Sequence, residues 1–367
     1  MQFLLLTIAC AIAMAGLLAG LLCRTHTRTE ALTGDSQFSG VQKFHTHSVS
    51  RIGGVSVFGG LIAALLLLVA TQSALTWAAT FLILAGLPAF AAGIAEDVTK
   101  RVGVATRLAA TMLSSGMALY LLGGVLDHVD LPGVDYLLAF APIAVVFTIF
   151  CVAGIANAIN IIDGYNGLSG VVCIMIFSAM GYVAWIVGDD LILWGCVSST
   201  GAVLGFLYWN YPKAKIFLGD GGAYFVGYLL GQMSVLLVAR NPEVSPWFPL
   251  MLVAYPVWET FFSIYRKKFV RKMSPGQPDG LHLHMLFYKR LVRVKMFSKS
   301  SRDKIERNSK TSPYLWGVAA LGIIPAVLFW RSSNTLIVCA ALFGISYGLI
   351  YRMIVKFRVP GWLVRRG

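Results

Sequence analysis

Asn157, Asn160 and Asp163 recur at every third residue, just where a long apolar run from Tyr136 to Ile155 ends. While the chain stays helical, this spacing holds the three side chains within about a third of the circumference. Gly164 and Gly167 follow and free the backbone to leave the helix and come close to a ligand. Two amides and a carboxylate on one face at the mouth of an apolar helix are costly unless something polar meets them. Taken alone, the stretch reads equally well as a polar cap and turn.

Other clusters tilt the balance toward chemistry. Glu96 and Asp97 end an apolar run and are followed by Lys100, Arg101 and Arg107. A carboxylate there suits a divalent metal or a proton, with Lys100 and Arg107 holding phosphate; the plain alternative is an interfacial ion-pair cluster. Gly219-Asp220-Gly221-Gly222 opens another apolar run, setting a hard oxygen ligand beside backbone N–H groups, a combination that suits a Mg²⁺-bridged phosphate. Glu259 is an acid inside an apolar run and is a second-tier candidate. His282 and His284 lack the further Cys or His partners a zinc site needs, and among Lys and Arg they suit a diphosphate better. Lys43 sits in a basic loop with Arg51-Ile52-Gly53-Gly54, read chiefly as topology and otherwise as a phosphate-facing loop.

These residues must be positioned by membrane helices. Of 367 residues, 57% are hydrophobic and 13% charged, far from the quarter charged of a soluble protein. Apolar runs recur along the whole chain and predict an all-α polytopic membrane protein with about eleven spans. They lie near 3–22, 54–71, 75–95, 104–125, 136–155, 168–187, 191–209, 221–239, 247–265, 314–330 and 335–352. Nothing suggests a second, soluble domain; residues 1–367 read as one transmembrane domain, with a long basic loop over 266–313. The first run has Arg24 and Arg28 after it and no positive charge before it, the wrong polarity for a cleaved signal.

With the N-terminus outside and the C-terminus cytoplasmic, all but Arg240 and Arg331 of the 30 Lys and Arg fall on the inner side. The formal charge of +14 is then topology, with no need for nucleic acid. The same orientation gathers every chemical-looking cluster on the cytoplasmic face, which independent helix caps would not do. Residues 295–310 are expected to lie along the anionic inner leaflet. The six cysteines sit in or beside apolar runs and read as small apolar packing residues.

The motifs Glu-Asp-x-x-Lys at 96–100, Asn-x-x-Asn-x-x-Asp-Gly-x-x-Gly-Leu at 157–168, Gly-Asp-x-Gly at 219–222 and His-x-His at 282–284 occur in an order that resembles a known family. It is the polyprenyl-phosphate N-acetylhexosamine-1-phosphate transferases, the MraY/WecA-like group. The resemblance covers roughly Lys43 to Arg290 and implies a multi-pass enzyme of the bacterial inner membrane with its site on the cytoplasmic face. It implies transfer of a sugar 1-phosphate from a UDP-sugar to undecaprenyl phosphate, releasing UMP and needing Mg²⁺ or Mn²⁺. By resemblance, Asp220 binds metal, and Asn157, Asn160, Asp163 and Asn166 belong to the nucleotide and metal pocket. Glu96 and Asp97 take the place of the paired acids thought to activate or orient the lipid phosphate. Lys43 and Lys100 hold phosphate, and His282 and His284 line the diphosphate site. A homodimer is compatible with this reading. Glu96 stands where the family usually has Asp, Asn166 where it has an acid, and Met285 where it has a third histidine. These departures favour the glycan-initiating branch over the peptidoglycan-precursor enzymes. The competing class, a secondary transporter of an anionic substrate, would be expected to show internal repeats and midplane sites, and neither is visible in the sequence. A non-catalytic scaffold has no use for so many convergent polar groups.

Overall fold

Glycine and small residues recur through the run after Asp220, and in the computed structural model this run becomes the axis of a helical bundle. Residues 2–33, 49–270, 272, 281–292 and 300–356 are described. Helices follow in the order α1 (Gln2–Thr33), α2 (Gly53–Ala70), α3 (Thr76–Ala85), α4 (Leu87–Thr99), α5 (Val104–Leu122), α6 (Pro132–Leu138), α7 (Ala141–Ile162) and α8 (Leu168–Val187). Then come α9 (Asp190–Asn210), α10 (Gly219–Arg240), α11 (Trp247–Leu252), α12 (Ala254–Tyr265), α13 (Leu283–Leu286), α14 (Ser301–Leu328) and α15 (Ser333–Val355). Among the described residues the extended pairing is a single parallel bridge, Ser50 to Ile216.

Nine helical segments among the described residues are long and apolar enough to cross a membrane. Leu17, Leu66, Trp77, Val146, Trp185 and Leu328 are all exposed, the reverse of a soluble surface and what a lipid solvent requires. The protein is therefore an all-α polytopic membrane protein. The predicted spans 104–125 and 247–265 correspond to α5 and to α11 with α12, and neither is among the nine. α5 carries Arg107, Thr111, Ser114 and Ser115 on a buried face, and the second span breaks at Val253 ahead of Pro256.

α10 is buried from Gly219 to Val238 and packs chiefly against α7, α4 and α2. The close approach is made by small residues. A Cβ at Gly227 would stand 2.5 Å from Ala156 Cα on α7, and one at Gly231 3.0 Å from Val152 Cα. At Gly93 of α4 it would meet Gly221 Cα at 2.5 Å. The four-residue spacing of Gly227 and Gly231 is thus a packing seam, as membrane helices use it.

In the long basic loop, α13 is buried throughout, as are Arg307, Asn308, Thr311 and Ser312 of α14, while Ser300 is exposed.

Candidate active site

α10 needs partners for the N–H groups of its first turn, and its own N-terminal flank supplies no side-chain cap. Gly219 precedes that turn at φ +76°, a backbone position glycine takes without strain, pressed between the Arg51 carbonyl and the Asp97 carboxylate. Asp97, at the end of α4, provides the missing cap. The Asp220 N–H donates to its Oδ1 at 2.9 Å and the Gly221 N–H to its Oδ2 at 2.8 Å. The Asp97 side chain is fully buried. The Gly219 N–H donates to Asp163, whose Oδ1 also accepts from Ser169 Oγ at 2.5 Å. Two carboxylates from different helices thus converge on one positive helix end.

Asp220 projects from that first turn and is met by cations and amides. Arg107 of α5 forms a buried ion pair with its Oδ2. Asn160 Nδ2 donates to Oδ1 at 2.8 Å, and Arg51 reaches Oδ1 at 3.7 Å while lying 3.8 Å from Asp97. Arg107 also stacks over Tyr224, 5.4 Å from the ring centroid, and Tyr224 Oη donates to Asn157 Oδ1 at 3.2 Å. Lys100, the left-handed cap of α4, folds back so that its Nζ donates to the Asp97 carbonyl. Burial raises the Asp163 carboxyl to about 6, with Asp220 adding to the rise and Ser169, Arg51 and Gly219 opposing it.

The backbone holds this cluster by a clasp. Phe217 N–H donates to the Ser50 carbonyl, and Gly53 and Gly54 N–H donate to the Phe217 and Leu218 carbonyls, all within 2.8–2.9 Å. Arg51 is therefore fixed to the entry of α10 rather than hanging in a loop.

The histidines form a second cluster. Glu259 is buried and satisfied on both oxygens: Oε1 accepts from His282 Nδ1 and Leu283 N–H at 2.9 Å each, and Oε2 accepts from Tyr347 Oη at 2.9 Å. The His282 and His284 rings stack at 5.1 Å, nearly parallel, and His284 meets Tyr165 edge-on at 5.3 Å. Burial lowers His284 to about 3, so at neutral pH its ring is uncharged. Tyr165, two residues beyond Asp163, links the two clusters.

The structure brings Asp97, Lys100, Arg107, Asn157, Asn160, Asp163 and Asp220 together, and pairs His282 with Glu259. It does not bring Glu96, Asn166 or His284 into the acidic cluster. Glu96 Oε2 accepts from the Val102 N–H at 2.7 Å and closes the turn after α4. Asn166 is fully buried and donates to the Pro212 carbonyl at 3.0 Å, tying its loop to the 210–216 turn and to α14 through Asn308 and Ser312. Lys43 lies outside the described residues. Arg51, read from sequence only as part of a basic loop, joins the site, and Tyr224 joins it beyond the sequence reading. Tyr224 carried a signal, four residues after Asp220 and so on the same helix face. Tyr347 carried none.

Among the described residues no three His, Cys, Asp or Glu side chains form a ready-made metal cage. Mg²⁺ does not require one, since it is commonly held by one or two carboxylates with phosphate oxygens and water. Asp220, Asp163 and the Asn160 amide are hard oxygen donors of that kind, and they fit Mg²⁺ or Mn²⁺ provided Asp220 releases a guanidinium partner.

Comparisons with known proteins bear on this site. Residues 79–238, which span α4, Asn157 to Asp163 and Asp220, match the family model for glycosyl transferase family 4. Over 250 residues the chain is 28% identical to a Bacillus subtilis (strain 168) protein named a probable undecaprenyl-phosphate N-acetylglucosaminyl 1-phosphate transferase, covering 66% of each chain. A Yersinia pestis undecaprenyl-phosphate alpha-N-acetylglucosaminyl 1-phosphate transferase is 28% identical over 67% of each chain. The protein of that name from Escherichia coli (strain K12) is 25% identical over 67% of this chain and 66% of its own. The matched region spans about two thirds of the length of these relatives.

Proposed function

We propose, from the match of residues 79–238 to the glycosyl transferase family 4 model and from the relatives' names, that the chain transfers an N-acetylhexosamine 1-phosphate from a UDP-sugar to undecaprenyl phosphate, releasing UMP. The observation that carries this reading is the meeting of Asp97, Asp163 and Asp220 with Arg51 and Arg107 at the start of α10. Both substrates carry phosphate, and their reacting oxygens repel until opposite charge lies between them. Asp220, with Asp163 and Asn160, would hold a Mg²⁺ or Mn²⁺ ion, which would supply that neutralisation. Arg51, Arg107 and Lys100 supply the remaining positive charge and orient phosphate oxygens. Asp97 fixes the helix end from which Asp220 projects. The lipid phosphate attacks the sugar-bearing phosphorus, one diphosphate bond forms as another breaks, and UMP leaves.

The partition of Lys and Arg among the loops supports a site on the cytoplasmic face of a bacterial inner membrane, with the eleven-span order and an outside N-terminus. A membrane-surface site suits an acceptor whose phosphate is anchored by a polyprenyl chain. The relatives' names make UDP-N-acetylglucosamine the first donor to assay. Purified protein with undecaprenyl phosphate, Mg²⁺ and a panel of UDP-N-acetylhexosamines should release UMP only when lipid is present. No lipid-dependent UMP from any donor would overturn the reading.

A further inference from the structure

Both carboxylate oxygens of Asp220 accept from neighbouring side chains. Its Oδ2 is held by Arg107, and its Oδ1 by Asn160 at 2.8 Å, with Arg51 at 3.7 Å. A cation bound here must compete with both guanidiniums for the carboxylate. Arg107 is buried with its Nε lacking a hydrogen-bond partner, so it cannot withdraw into water when Asp220 is lost. A buried guanidinium stripped of its anion is heavily penalised unless another anion replaces it.

We propose that Arg107 and Arg51 are exchange partners: they hold Asp220 in the resting protein, release it to the divalent cation, and turn to the diphosphate of the nucleotide sugar. This rests on the transferase reading and deepens it. Charge counting leads to the same place. Three carboxyl groups, Asp97, Asp163 and Asp220, stand among three cationic side chains, Arg51, Arg107 and Lys100. A divalent cation alone adds two positive charges to a closely packed cluster that already holds these three. A nucleotide-sugar diphosphate, with two negative charges, offsets them. Cation and diphosphate therefore bind well together and poorly apart, and linkage makes the effect reciprocal.

The geometry also says which residue matters more. Arg107 is buried and sits over Tyr224, whose ring gives the guanidinium a second resting contact while it changes anion. Arg51 is about a third exposed and lies at longer range from both acids, so its share is smaller. Neither residue needs the backbone to move.

The test is Mn²⁺ binding by electron paramagnetic resonance on the full chain in detergent, with and without UDP-N-acetylglucosamine and with no lipid acceptor. In the wild type the nucleotide sugar should tighten Mn²⁺ binding tenfold or more, within the usual range of coupling between sites. Arg107→Gln should bind Mn²⁺ alone more tightly than wild type, because the competitor is gone, while its tightening by UDP-N-acetylglucosamine falls toward onefold. A residue that merely braces the fold would weaken both. If Arg107→Gln does not elute as a folded protein, Arg51→Gln should show the same two signs at smaller size. Mn²⁺ affinity without nucleotide that is unchanged or weaker in the folded variant overturns the exchange. The metal-alone arm is independent of transfer: tighter Mn²⁺ binding in a protein that releases no UMP would leave the exchange standing and sink the transferase reading.

Discussion

Replacing Asp97 separates two roles that the Glu96–Asp97 pair leaves open. Both Asp97 oxygens accept buried backbone N–H groups of α10, at 2.9 and 2.8 Å, and the side chain is fully buried. Asp97→Ala would orphan both donors, at about 1–3 kcal/mol each, or roughly 2–6 kcal/mol together. The 3.8 Å contact with the partly exposed Arg51 adds little. Asp97→Asn keeps one acceptor oxygen and turns an amide N–H₂ toward the other donor, so it should lose roughly half as much or somewhat more. Against a typical margin of about 5–15 kcal/mol, the alanine loss is large enough to see as a clear drop in melting temperature.

The assay is melting followed by fluorescence-detected size exclusion in detergent, run beside lipid-dependent UMP release. Asp97→Ala should melt well below wild type, Asp97→Asn in between, and turnover should fall in the same order as metal affinity, because Asp220 rides on the disturbed turn. A general base would behave otherwise. Wild-type melting and metal affinity in Asp97→Asn, with turnover abolished, would refute the capping argument and make Asp97 a proton acceptor.

Three other outcomes follow from single contacts. Asp163 at about 6 lies above the ordinary carboxylate range, so the folded metal-free protein holds this proton more tightly than the unfolded chain does. Its contribution to stability is full below about pH 4 and is lost as pH rises through 6, where the carboxylate is left desolvated beside Asp220. Mg²⁺ should therefore raise the melting temperature more at pH 7.5 than at pH 5, and Asp163→Asn should flatten that difference; equal Mg²⁺ shifts at both pH values in the wild type would contradict it. Glu259→Gln and His282→Ala each break the same 2.9 Å contact, so the double variant should lose little more turnover than the worse single, and additive losses would show that they act separately. Asn166→Asp sets a buried carboxylate against the Pro212 carbonyl now bonded at 3.0 Å; melting should fall by a few degrees or more, and an unchanged melt would mean the loop has an alternative packing.

The bundle was legible because a lipid solvent forces long apolar helices, and those survive any error in their ends. Asp163, Asn160 and Asn157 stand out because a three-residue spacing keeps them on one side of a helix end, and Asp220 because glycines flank it at a helix start. What local spacing cannot give is which partner each acid meets. Asp97 faces the N–H groups of residues more than a hundred positions later, and adjacent Glu96 turns to Val102 instead. Asn166 continues the three-residue rhythm of Asn160 and Asp163, yet the chain has already left the helix at Ile162, so the rhythm no longer fixes its direction. Glu259 stands out in sequence only as an acid inside an apolar run; its partners, His282 and Tyr347, are delivered by the folded loop and α15.

The placement of the site at the head of α10 also limits how it can work. That helix is buried along nearly its whole length and locked by glycine contacts to α7 and α4, so its first turn cannot shift to follow a changing charge. Its N–H groups are spoken for, by Asp97 and Asp163, which keeps the positive helix end from competing for substrate phosphate. The parts that can respond are side chains: the Asp220 carboxylate, the Asn160 amide and the Arg51 and Arg107 guanidiniums. A rigid frame with movable charges favours reactions in which bonds to phosphorus are exchanged with little net change in charge, since each charge taken from one partner must be met by another within the same few ångströms. Transfer of a sugar 1-phosphate between two phosphates is such a reaction, whereas carrying an anion across the bilayer would require the helix itself to move.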